Sequence, residues 1–92
     1  MLGQLVRVNG AYTITLPSAV VGMHCVVEAT TAAIFSLDPS GVETIELDGT
    51  VLAGGNKATS NGALRASIYL FCEVAGAWVA RTIVPSFADG GA

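Results

Sequence analysis

Apolar and polar residues alternate with a period of two along most of the chain, and no ten-residue stretch repeats with the period of a helix, about 3.6. The first strong signal is Asn9-Gly10, set between β-rich runs at 4–8 and 11–16. Asn-Gly predicts a two-residue hairpin loop, because both loop residues of that turn need positive φ. In this N-terminal hairpin Leu5 faces Ile14, and Leu5, Tyr12, Ile14 and Leu16 share the core face. Val6 and Val8 then fall with Thr13 and Thr15 on the other face, and Pro17 stops the second strand. Residues 23–30 predict a strand with Met23, Cys25 and Val27 inward and His24, Val26 and Glu28 outward. A short strand at 33–37 ends at the turn Asp38-Pro39-Ser40-Gly41. Residues 43–47 alternate again with Ile45 and Leu47 inward, Asp48-Gly49 turns, and 50–53 pair briefly.

Residues 54–63 are polar and glycine-rich and read as a loop. The longest predicted strand is 64–74, where Leu64, Ala66, Ile68, Leu70, Cys72 and Val74 form an apolar face. Arg65, Ser67, Tyr69, Phe71 and Glu73 form its mixed opposite face. Ala75-Gly76 turns, 77–84 returns as the last strand, and Pro85 ends it. The expectation is an all-β fold, an antiparallel β-sandwich or small barrel of about 7–8 short strands. Residues 1–84 form one β domain and 85–92 a C-terminal tail.

Composition moves this picture toward assembly. The 92 residues are 52% hydrophobic and only 12% charged, about half the usual charged share. A body this small has much surface for its volume, and few charges to keep it wet. Large exposed apolar patches usually mark interfaces. The net charge is −3, and the four basic residues are scattered, so no nucleic-acid footprint is present. The longest apolar-looking stretch, 16–27, falls short of the roughly 20 residues of a membrane helix, and the N-terminus has no secretory pattern. No membrane partner is expected. Cys25 and Cys72 are expected to be buried thiols rather than a disulfide framework.

Little in the sequence promises catalysis. His24 and Cys25 are neighbours on a strand and point to opposite faces, which argues against shared metal binding or a nucleophilic pair. The loop 54–59 lacks the spacing of a phosphate loop. Glu43 and Glu46 face opposite ways, and Glu46 and Asp48 read as a solvated edge. No catalytic residue, metal or cofactor is expected. Trp78 is either a core residue or an interface anchor. Tyr69, Phe71, Ile83 and Phe87 lie outside the expected core face and, with Trp78, are the candidate interface residues.

The order Gly3-x-Leu5-Val6, Tyr12-Thr13-Ile14-Thr15-Leu16-Pro17, Gly22, Thr44-Ile45-Glu46-Leu47-Asp48-Gly49 and Gly76-Ala77-Trp78-Val79 resembles the small β-modules of tailed-bacteriophage virion proteins. Such modules occur in tail fibres and tailspikes and as head-decoration (cement) proteins. The resemblance spans roughly 3–79, and the stretch 45–49 is longer than the usual Ile-x-Gly. It implies a structural rather than catalytic role, with no site residues carried over. It further implies a homotrimer that contacts the major capsid protein on the virion, after assembly in the host cytoplasm. A tail-fibre or tailspike module, contacting other tail proteins or a host surface glycan, is the alternative. Size favours head decoration, since the chain shows no shaft or second domain.

Overall fold

The computed structural model describes residues 2–84 and 86–91. The chain is all-β, with ten short strands and no helix among the described residues: β1 (Leu2–Val8), β2 (Thr13–Thr15), β3 (His24–Ala29), β4 (Ser36–Asp38), β5 (Thr44–Leu47), β6 (Thr50–Val51), β7 (Ala58–Ser60), β8 (Ser67–Val74), β9 (Ala77–Val84) and β10 (Phe87–Asp89). They form two sheets, six-stranded in the order β1-β3-β8-β9-β5-β6 and four-stranded in the order β10-β7-β4-β2. One buried cluster draws on both. Cys25, Val27, Ile45, Ile68, Leu70, Trp78 and Ala80 come from the larger sheet, Leu37 and Ala58 from the smaller, and Phe35 from just before β4.

Alternation predicts β3, β5 and β8 well, and the turn at Ala75-Gly76 places the start of β9. Cys25, Val27 and Ala29 are buried along β3 with half-buried residues between them, and Ile45 and Leu47 alternate likewise along β5. The Asp48-Gly49 turn closes β5 onto β6, with φ of 48° at Asp48 and 94° at Gly49. Those paired positive angles suit the right-handed twist of a tight hairpin. On β8, the expected apolar face is buried at Ala66, Ile68, Leu70 and Cys72, while Leu64 and Val74 at its ends are exposed. Leu64 stands before the strand because the chain turns at Arg65, which has a positive φ of 64°.

The N-terminal hairpin does not form. β1 pairs parallel with β3, and β2 pairs parallel with β4 in the other sheet, so residues 9–12 cross between sheets. Neither Asn9 nor Gly10 takes the positive φ that the hairpin turn requires. The crossing is fixed by Val8 C=O accepting from Thr30 N–H at 2.8 Å, and by Tyr12 C=O accepting from Ser36 N–H at 2.9 Å. The core face of β1 is accordingly inverted. Val8 is buried and Val6 packs against the core, while Leu5 and Tyr12 are more than half exposed.

Three further expectations are corrected. The sheets are mixed rather than antiparallel, with parallel pairs β1–β3, β2–β4 and β5–β9, and neither closes into a barrel. The polar loop 54–63 contains β7, where Ala58 and Ser60 are buried; small side chains hide this strand from a hydrophobicity reading. The Ser60 hydroxyl accepts from Phe35 N–H at 3.0 Å. The expected tail carries β10, paired antiparallel with β7 as Phe87↔Ser60, Ala88↔Thr59 and Asp89↔Ala58. Beyond it, Gly90 lies flat on Thr59, whose hydroxyl fills the space a Cβ would take.

Candidate interface on the six-stranded sheet

Side chains directly opposite on neighbouring strands share a face, so register alone maps the outer surface of the larger sheet. One row crosses β1, β3, β8 and β9 as Leu5, Val26, Tyr69 and Arg81. The next crosses β3, β8, β9, β5 and β6 as His24, Phe71, Val79, Glu46 and Val51. Val26, Tyr69, Phe71 and Val79 are half-buried by one another, and Leu5 and Val51 at the sides are exposed at 52% and 61%. Tyr69 and Phe71 stand side by side with ring centroids 5.5 Å apart and planes tilted by 31°. The centre of this face is therefore aromatic and aliphatic.

Charge lies at its margins and is largely paired. Arg81 reaches Glu46 at 3.4 Å, and Arg65 reaches Glu28 at 3.7 Å. Both pairs are partly exposed, so each contributes little to stability, about 0–1 kcal/mol. Their effect is to leave few uncompensated charges around the aromatic centre. His24 stands on the same face with its Nδ1 3.1 Å from the carbonyl of Gly22. Cys25, its neighbour, points inward and is buried. Among the described residues no three His, Cys, Asp or Glu side chains converge on one point.

The structure divides the five candidate interface residues. Tyr69 and Phe71 occupy the centre of the outer face. Ile83 is exposed near the end of β9, where the register with β8 shifts. Trp78 is fully buried and presents no surface to a partner; it belongs to the core. Phe87 is on the other sheet, half-buried against Phe35, and cannot join a contact made by Tyr69. Leu5, placed in the core by the expected hairpin, belongs instead to this face. Its signal was ambiguous, because Leu5, Val6 and Val8 make both faces of β1 apolar.

No protein-family model matches the chain, and no curated protein or solved structure matches it either.

Proposed function

We propose that this chain is a structural protein of a tailed-bacteriophage particle, a sandwich-like β-module that decorates the head and holds the major capsid protein. The observation that supports a binding role is the outer face of the six-stranded sheet, where Leu5, Val26, Tyr69, Phe71 and Val79 form a continuous apolar surface. Contiguous apolar surface on a small domain is a common mark of a protein interface. The resemblance of the sequence to virion β-modules supplies the kind of partner. Many copies bound to one shell turn a modest affinity per site into firm retention.

Contact through this face is mainly apolar. Arg81–Glu46 and Arg65–Glu28 already satisfy each other, so salt has little to screen. Purified phage particles labelled with antibody against this protein test the reading. Label over the heads is expected, and loss of head occupancy by Phe71→Asp with an unchanged far-UV spectrum is expected with it. Burying a Phe side chain is worth roughly 1.5–3 kcal/mol, so the dissociation constant per site should rise by at least about tenfold, read as lost occupancy at sub-saturating protein. Label confined to tails moves the assignment to a tail-fibre module, and particles without label overturn it.

A further inference from the structure

We propose that β1 is a docking edge for a second copy of this chain, and that two copies join their six-stranded sheets antiparallel about a two-fold axis through Val6. Among the described residues, β1 has a strand neighbour on one side only, β3. The N–H and C=O of a strand residue point to the same side, and successive residues alternate. The Val8 carbonyl is bonded to Thr30 on the β3 side, so Val8, Val6 and Gln4 address β3. Leu5 and Arg7 therefore turn their N–H and C=O groups to the open edge. Proline would blunt such an edge, and β1 contains none; its one charged residue is Arg7.

Strand length selects the occupant. The other three sheet edges are β6 with two residues, and β2 and β10 with three each, against seven in β1. A head-to-tail ring would have to pair β1 with one of those short edges. A second β1 matches it in length, and that match is isologous, giving a two-fold pair rather than the threefold assembly the resemblance implies. The register shift between Leu2 and Gln4 leaves 4–8 as the regular part, with Val6 at its centre.

With the axis at Val6, Leu5 lies opposite Arg7 of the second copy, and each such pair exchanges both backbone hydrogen bonds. Val6, half-buried in the single chain, meets its own counterpart on the core side. On the outer side Leu5 continues the apolar surface across the junction, under the aliphatic stem of the opposing Arg7. Arg7 itself stands in register with Glu28 on β3, whose carboxylate reaches Arg65 at 3.7 Å.

The proposal is independent of the shell reading, because self-pairing is measured on the purified full chain with no head present. Sedimentation equilibrium should give about twice the chain mass at micromolar concentration. Leu5→Pro removes an edge-facing donor without touching the β3 ladder, and should raise the dimer dissociation constant at least about tenfold. Val6→Cys brings two sulfurs together at the axis, where facing Cα atoms of a non-hydrogen-bonded pair sit about 4.5 Å apart, within disulfide range. Under mild oxidant it should convert to a covalent dimer, whereas Gln4→Cys, displaced from the axis, should not. A monomeric wild type, a threefold mass, a dimer unaffected by Leu5→Pro, or no crosslink through Val6→Cys would each overturn the proposal.

Discussion

The rings of Phe35 and Phe87 meet edge to face, with centroids 5.5 Å apart and planes at 75°. Phe35 is fully buried, so the contact ties β10 to the interior rather than leaving it on the surface. Aromatic pairs of this geometry add about 0.5–1.5 kcal/mol to the area they bury. Phe87→Ala should therefore cost about 2–3 kcal/mol of folding stability, less than the 3–5 of a fully enclosed Phe. Urea unfolding checks this; a variant as stable as wild type would show that β10 is dispensable to the core.

Asp48 supports the β5–β6 hairpin from the side. Its carboxylate accepts from the backbone N–H of Thr82 at 2.8 Å and from the Thr82 hydroxyl. Asp48→Ala loses both bonds and keeps a side chain at positive φ, so a loss of about 1–2 kcal/mol is expected. Asp48→Asn retains an acceptor and tolerates the backbone angle, and should lose less than half as much. Thermal melts of the two variants make the comparison, at about 4–8 °C per kcal/mol for a domain of this size.

Burial pushes the Cys25 thiol above its ordinary value of 9.0. The folded state thus holds this proton more tightly than the unfolded state. The stabilising contribution is complete below pH 9.0 and is lost as pH rises from there through the folded-state value, at up to about 1.4 kcal/mol per pH unit. Cys25→Ala should flatten that alkaline slope, read from urea midpoints between neutral pH and pH 10.5 or so. Cys72 is also buried, one step diagonally from Cys25 on the adjacent strand. Diagonal neighbours on adjacent strands lie about 7–8 Å apart, beyond the Cα separation of a disulfide. Both thiols should resist a disulfide reagent at neutral pH until the protein is unfolded.

Trp78 is wholly buried, and its Nε1 has no hydrogen-bond partner among the described residues. Leaving such a donor unsatisfied costs about 1–3 kcal/mol. Trp78→Phe removes the donor and part of the ring, so cavity and relief should roughly cancel, for a change under about 1.5 kcal/mol. Trp78→Ala should cost about 3–5 kcal/mol. As the sole tryptophan, Trp78 should emit at short wavelength and resist aqueous quenchers, which separates a core residue from an interface anchor.

These contrasts mark how far the sequence could be read. Strands β3, β5 and β8 were legible because one face is wholly apolar and the other mixed, as at Ile45 and Ile68 beside Glu46 and Tyr69, while β9 was bounded by the Ala75-Gly76 turn and Pro85. Tyr69 and Phe71 were placed outside the core by that same alternation. Strand partners were not legible, since parallel pairing is decided by distant segments and leaves no local mark. β1 offered apolar residues on both faces, so only its neighbour β3 could fix which side is inward. Asn9-Gly10 carries a strong local preference that two sheets override by claiming one strand each. β7 and β10 were missed for a different reason: Ala58 and Ser60 bury little hydrophobic bulk, and Phe87 is the one large apolar side chain of β10, with only Ala88 and Asp89 beside it.

The three parallel pairings carry a consequence for how the chain reaches this state. β1, β2 and β5 each wait for a partner further along the sequence, and β5 pairs with a strand beginning some thirty residues later. Closing such loops costs entropy before the contacts repay it. The β8–β9 hairpin, joined at Ala75-Gly76, is the longest local pairing and the natural place for structure to begin. Refolding should then take milliseconds to seconds, the range of domains dominated by non-local contacts. Loosening the turn with Gly76→Ala, at φ 83°, should slow refolding more than it speeds unfolding.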